Sequence, residues 1–132
     1  MIARHSATCP KTAASGLARI GAQFRANDIA IGRVLSSQWC RCLDTARLAF
    51  GDRVEPSAAL NSFFEKQDGA NAQTRALRDI VQAPRPEAGV LVLVTHQVNI
   101  TALTGIFPAE GEVLVLRPGG PSGFTVAARF VP

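Results

Sequence analysis

The chain's two histidines both follow short apolar runs, and each has a neighbour suited to phosphate chemistry. Met1-Ile2-Ala3 leads into Arg4-His5, and Gly89-Val90-Leu91-Val92-Leu93-Val94 leads into Thr95-His96-Gln97. An imidazole can serve as nucleophile, proton donor or proton acceptor near neutral pH. A guanidinium grips a tetrahedral oxyanion through a fork of N–H donors. A third stretch belongs with them: Ser36-Ser37-Gln38-Trp39-Cys40-Arg41-Cys42-Leu43-Asp44-Thr45-Ala46. There Arg33-Val34-Leu35 is strand-like, Ser36 or Ser37 suits the cap of a following helix, and Arg41 falls in that helix's first turn. Two arginines and two histidines at strand ends and helix starts suit a dianionic phosphate, which the positive end of a helix also favours.

These residues need a sheet to carry them. Residues 89–96 form a continuous apolar, β-branched run, too short for a typical helix, and read as a strand buried on both faces. A helix is expected from about Ala14 to Asn27, with Leu17, Ile20 and Phe24 facing the sheet despite the cost of Gly16 and Gly21. A second runs from about Gln38 to Phe50, with Trp39, Leu43, Ala46 and Phe50 as its apolar stripe, and Gly51 stops it. On that stripe Trp39 reads as core rather than as a substrate platform. Val54-Glu55-Pro56 suits a strand at the sheet margin, because proline cannot donate to a central ladder. Leu60 to Gly69 reads as an irregular, mobile loop, and helix resumes from Ala72 to Val81. Gln97 to Gly105 is a helix with its N-terminus toward the phosphate, packing Val98, Ala102 and Ile106 inward. Glu112 to Leu116 and Phe124 to Val131 are strands around a Pro118–Gly123 turn. The alternation indicates one domain, residues 1–132, built as a three-layer α/β/α sandwich with a mainly parallel, mixed central sheet.

Taken in order, Arg4-His5-Ser6, then Ser36-Ser37 through Arg41 to Thr45-Ala46, then Thr95-His96-Gln97 resemble the signatures of the histidine phosphatase superfamily, also called phosphoglycerate mutase-like. Those signatures read Arg-His-Gly, Ser-Ser-Pro-x-x-Arg-Ala-x-x-Thr-Ala and Ser-His-Gly. The resemblance spans nearly the whole chain, and its middle motif is the most specific.

It implies a phosphatase acting on a phosphomonoester or phosphoramidate through a phosphohistidine on His5, which water then hydrolyses. Arg4 and Arg41 would hold the nonbridging oxygens, His96 would donate to the phosphoryl group as charge develops, and the Gln97 N–H would add a donor. The phosphate-binding set is therefore Arg4, His5, Arg41, His96 and Gln97. Many relatives place a general-acid glutamate where this chain has Ser62; Glu65 is the nearest replacement and Asp68 another. The segment between the first histidine and the first helix is shorter than usual in the family, which leaves the pocket more open. Those departures support an alternative, a degenerate member that binds phosphorylated ligands without turnover. The partner in either case is a phosphorylated small molecule or a phosphoprotein. Mutase activity is disfavoured, because little polypeptide is available to close over an exchanging substrate.

Composition narrows the rest. Net charge is +4, and of the 14 basic residues only Lys11 and Lys66 are lysines. That balance favours anionic partners. The arginines are scattered and tyrosine is absent, so nucleic-acid binding is not expected. No apolar run reaches bilayer length, so no membrane span is expected. No cofactor is called for. A metal site from His5, His96 and Cys9 lacks ligand spacing, and a cysteine-phosphatase loop does not fit Cys42 and Arg47 inside a helix. The three cysteines are either inert thiols or include a Cys9–Cys40 bridge, which would imply an oxidising compartment. Only Met1 to Ala3 precede Arg4, fewer than the roughly five residues of an ordinary strand, so the start reads as truncated or as following a removed leader. Location follows from that choice: cytoplasmic as written, periplasmic or secreted if a leader was removed.

Overall fold

The computed structural model describes residues 1–4, 15–63, 67–84 and 89–131, with side chains throughout except at 2–4, 15–18 and 67. In chain order the elements are β1 (Ile2–Arg4), α1 (Ser15–Ala26), β2 (Ile31–Ser36), α2 (Cys40–Phe50), β3 (Val54–Pro56), α3 (Ala70–Gln82), β4 (Val90–His96), α4 (Gln97–Thr104), β5 (Val113–Pro118) and β6 (Phe124–Phe130). Short 3₁₀ turns lie at Ala58–Leu60 and Gln67–Gly69.

The strands form one six-stranded sheet in the order β3-β2-β4-β1-β5-β6. β3, β2, β4 and β1 run parallel, while β5 lies antiparallel to β1 and β6 antiparallel to β5. Side chains on β4 alternate between the two faces. Val92 and Val94 pack with Ile20, Cys42, Ala46 and Phe50 of α1 and α2. Leu93 packs the other way, with Leu77 and Val81 of α3 and Ile100 and Leu103 of α4. A strand between two helical layers must be apolar on both faces, which is why residues 90–94 show no polar alternation. The result is the three-layer α/β/α sandwich with a mainly parallel, mixed sheet that the alternation of elements indicates. β3 takes the margin, as Pro56 requires.

Several local expectations need correction. Neither Ser36 nor Ser37 caps α2, whose N-cap is Trp39. The buried stripe of α2 is Cys42, Ala46, Ala49 and Phe50, and Trp39 lies half-buried outside it. Residues 60–69 are not uniformly loop: Leu60 closes a 3₁₀ turn and is fully buried. In α4 the buried residues are Asn99, Ile100 and Leu103 rather than Val98 and Ala102, the latter exposed, while Ile106, just past the helix, packs against the core as expected. That helix is apolar on most sides, so its periodicity does not select a face.

Gly21 is a point of close approach rather than a tolerated weakness. It faces the backbone of α2, and a Cβ there would collide with the Ala49 carbonyl. The contact lets the Phe24 and Phe50 rings meet at 5.6 Å between centroids. Gly21→Ala would gain roughly 1 kcal/mol of helix propensity. It would lose more, since overpacking a tight contact costs about 1–3 kcal/mol. We expect the melting temperature of Gly21→Ala to fall by several degrees in calorimetry; an unchanged or higher value contradicts the tight helix–helix contact.

Candidate active site

Parallel strands deliver their carboxyl ends to one edge of the sheet. Arg4 pairs in register with His96, and Ser36 with Val94 on the other side of β4. The backbone therefore sets the ends of β1, β2 and β4 side by side, where ligands of open α/β sheets bind. From these ends the chain enters α2 through Ser37-Gln38-Trp39 and enters α4 directly.

The starts of these two helices touch. Trp39 is the N-cap of α2 and His96 the N-cap of α4. Their rings meet edge to face, 4.6 Å between centroids. Neither cap residue makes a side-chain bond to its own helix. Two positive helix ends thus converge on one spot, an arrangement that attracts anions.

A buried polar network fixes the histidine. His96 is 3% exposed, and its Nε2 lies 2.8 Å from Ser37 Oγ. Ser37 Oγ lies 3.1 Å from Asn61 Oδ1 and accepts the Trp39 N–H at 3.2 Å. The hydroxyl owns one proton. If that proton goes to Asn61 Oδ1, His96 Nε2 must carry a hydrogen and donate it. Asn61 Oδ1 also accepts the Gln38 N–H at 2.8 Å, while Asn61 Nδ2 donates to Gln38 Oε1 at 2.9 Å. The Asn61 carbonyl accepts from Asn99 Nδ2 at 2.8 Å and from Gln73 Nε2. Thr95 Oγ1 donates to the Leu60 carbonyl at 2.7 Å, tying that segment to β4.

Among the described residues, two buried side-chain polar atoms have no hydrogen-bond partner: Arg41 Nε and Asn99 Oδ1. Native interiors seldom leave such atoms unmatched, and each is an invitation to a ligand or water. Thr45 Oγ1 donates to the Arg41 carbonyl at 2.8 Å, supporting the first turn of α2 rather than taking part in chemistry.

Cys42 carries a buried thiol 3.7 Å from both the Thr95 carbonyl and His96 Nε2. Cys40 is disulfide-bonded, a state that persists in oxidising compartments. Cys9 lies outside the described residues, and so does the Cys9–Cys40 pairing. Among the described residues no group of three His, Cys, Asp or Glu side chains could hold a metal ion. No helix formed by the described residues is long and apolar enough to cross a membrane.

Of the residues singled out from the sequence, Ser37, Trp39 and His96 come together, with Gln97 opening α4 beside them. The backbone of Arg4 ends β1 opposite His96, and Arg41 lies in the first turn of α2. His5 and Glu65 lie outside the described residues, and Asp68 is exposed in its 3₁₀ turn. Sequence reasoning missed Asn61 and Asn99. The available signal was weak: Asn61 is a polar residue bracketed by Leu60 and Phe63, just after a short strand.

No family model and no curated protein matches the sequence. Comparison of the fold finds the structure of the protein histidine phosphatase SixA complexed with tungstate. The two are 14% identical with a TM-score of 0.67, over 99% of this chain and 91% of that chain. At that identity the likeness is one of fold: the chain has the phosphoglycerate mutase-like α/β architecture.

Asn61→Ala removes the acceptor shared by Ser37 and Gln38 and should cost about 1–2 kcal/mol in denaturant unfolding. Gln38→Ala, which deletes only an exposed bond, should stay within about 0.5 kcal/mol. Equal losses from the two substitutions would show that Asn61 is not the centre of the network.

Proposed function

We propose that this chain is a histidine phosphatase of the phosphoglycerate mutase-like superfamily, with His5 as nucleophile. The observation that carries the reading is His96. It is buried, held at Nε2, placed where two helix N-termini meet, and in register with Arg4, the residue before His5 in the chain. Arg41, with its unmatched buried Nε, supplies a donor to the same region. A fold shared with a histidine phosphatase that binds tungstate, a tetrahedral dianion, supports the same conclusion.

In this reading a neutral ring nitrogen of His5 attacks phosphorus, a P–N or P–O bond to the leaving group breaks, and the leaving atom acquires a proton. Water then attacks the phosphohistidine, releasing inorganic phosphate and restoring the imidazole. Nearby cations disfavour protonation of His5 and so keep its nitrogen available. Arg4 and Arg41 hold the nonbridging oxygens, and His96 Nε2–H donates to the oxygen that gains charge, with the Gln97 N–H as a further donor. For His96 to turn from Ser37 to the phosphoryl group, Ser37 keeps its other partners, Asn61 Oδ1 and the Trp39 N–H.

The leaving group decides how much acid catalysis is required. Asp44 and Asp68 are both exposed, and Glu65 remains the proposed acid. A phosphoramidate, whose nitrogen leaving group departs more readily than an alkoxide, needs that acid least, so phosphohistidine on a protein is the substrate class we favour over a phosphomonoester. The second reading, phosphate binding without turnover, rests on the serine at position 62, where relatives carry the acid.

The test is turnover of a phosphohistidine-bearing protein and of p-nitrophenyl phosphate by the purified chain. His5→Ala should abolish turnover and the acid-labile phosphoenzyme, and His96→Ala should reduce kcat by about 10²–10³. Unchanged turnover in His5→Ala would overturn the mechanism. Tungstate binding with no turnover of either substrate would establish the binding module instead.

A further inference from the structure

The turn from β2 into α2 is clasped to the segment after Leu60 by two amides. The Gln38 N–H donates to Asn61 Oδ1 at 2.8 Å, and Asn61 Nδ2 donates to Gln38 Oε1 at 2.9 Å. The signature motif of the superfamily has proline where this chain has Gln38, and proline carries no N–H. The first of the two bonds is therefore a property of this chain's own residues.

A backbone N–H cannot exchange its role. It decides which atom of the Asn61 amide lies toward the turn, because the reversed amide would set Nδ2 against the Gln38 N–H, donor against donor. With the amide so fixed, Asn61 Oδ1 also lies 3.1 Å from Ser37 Oγ. A second backbone donor, the Trp39 N–H, meets the same hydroxyl at 3.2 Å.

Ser37 Oγ has one hydrogen and two lone pairs to share among Asn61 Oδ1, the Trp39 N–H and His96 Nε2, the last at 2.8 Å. Asn61 Oδ1 only accepts, and the Trp39 N–H only donates. The hydroxyl hydrogen goes to Asn61, one lone pair takes the Trp39 N–H, and the other takes a hydrogen from His96 Nε2. No other assignment satisfies all three contacts. A bare Nε2 would draw the hydroxyl hydrogen to itself and leave the Ser37 and Asn61 oxygens facing each other lone pair to lone pair. Cys42 agrees with this assignment. Its sulfur lies 3.7 Å from Nε2 and donates to the Thr95 carbonyl, so it offers the ring an acceptor.

We propose that Asn61 is a positioning residue: through Ser37 it holds His96 in the tautomer with hydrogen on Nε2, and the Gln38 N–H is what orients Asn61 to do so. The state of the ring follows from the fold and is independent of the phosphatase reading. Its catalytic consequence rests on that reading. A histidine delivered with hydrogen on Nε2 is a donor to a phosphoryl oxygen before any proton moves, whereas a bare Nε2 would turn a lone pair toward it.

The test is nitrogen NMR of the chain labelled at histidine, without phosphate, at about pH 9, where an ordinary imidazole is neutral. Only two histidines occur, so the spectrum of His5→Ala assigns His96. In the unmodified chain the tautomer with hydrogen on Nε2 should dominate by at least about tenfold. Asn61→Asp keeps an acceptor for both Ser37 and the Gln38 N–H and should preserve that state, as should Gln38→Ala, which keeps the backbone N–H. Asn61→Leu and Gln38→Pro should each move the hydrogen to Nδ1, with folding checked by circular dichroism. The two alter different segments, so the failure of one to fold leaves the other to decide. In turnover of a phosphohistidine-bearing protein, Asn61→Leu should lower kcat about tenfold with KM little changed, and Asn61→Asp should lose less. A bare Nε2 in the unmodified chain would overturn the proposal, as would hydrogen retained on Nε2 in either folded variant, Asn61→Leu or Gln38→Pro. Absence of turnover in every chain would instead count against the phosphatase reading, with the ring nitrogens still deciding the role of Asn61.

Discussion

The in-register pairing of Arg4 with His96 is the constraint from which the rest of the site follows. Two parallel strands ending at the same level put two chain segments, remote in sequence, within reach of one ligand. The pairing also sets where β2 must stop. With Ser36 level with Val94, the chain can turn at Ser37 and start α2 beside His96. A one-residue slip of β1 would turn its side chains to the opposite faces and carry Arg4 out of step with His96. Buried apolar side chains on both faces of β4 resist such a slip.

Polar burial near His96 is the second constraint. Ser36, Ser37, Thr95, His96 and Asn99 are all at most 3% exposed. Each would weigh against folding if unmatched, because an orphaned buried donor or acceptor costs about 1–3 kcal/mol. Ser36 Oγ donates to the Ser37 carbonyl at 2.9 Å, and Thr95 reaches the Leu60 carbonyl. Asn61 joins three segments: its side chain serves the start of α2, and its carbonyl serves α3 and α4. Among the described residues, the unmatched side-chain atoms Arg41 Nε and Asn99 Oδ1 therefore stand out against this network.

Much of this was legible in the chain because the decisive signals are local. The apolar run before His96, the proline that sends residues 54–56 to the sheet margin, and the turn rich in glycine between the last two strands each act over a few residues. What was not legible depends on tertiary geometry. Trp39 fits an apolar stripe by spacing, but α2 begins one residue later than that stripe assumes, and the indole turns to His96. Asn61 lies in a stretch whose composition reads as loop, while its importance comes from what three other elements bring to it. Gly21 reads as a helix weakness, yet its missing side chain is what lets α1 approach α2.

The two ends of the sheet contrast, and β1 belongs to both. At the carboxyl end, strands, helix starts and side chains close a polar network around His96. At the other end an apolar cleft of about 250 Å³ lies between β4 and β5, and no titratable side chain is among its described lining residues. Such a cleft suits apolar groups rather than an oxyanion, which needs oriented N–H donors, because its walls offer apolar side chains and a few backbone amides. The ends are linked mechanically through β1. Arg4 is placed by a strand only three residues long, held on one side by β4 and on the other by the bonds at Met1 and Leu114. The level at which β1 ends beside His96 is thus set by the backbone bonds it makes to both neighbours, and the geometry of the site is a property of that pairing as well as of the residues that touch a ligand.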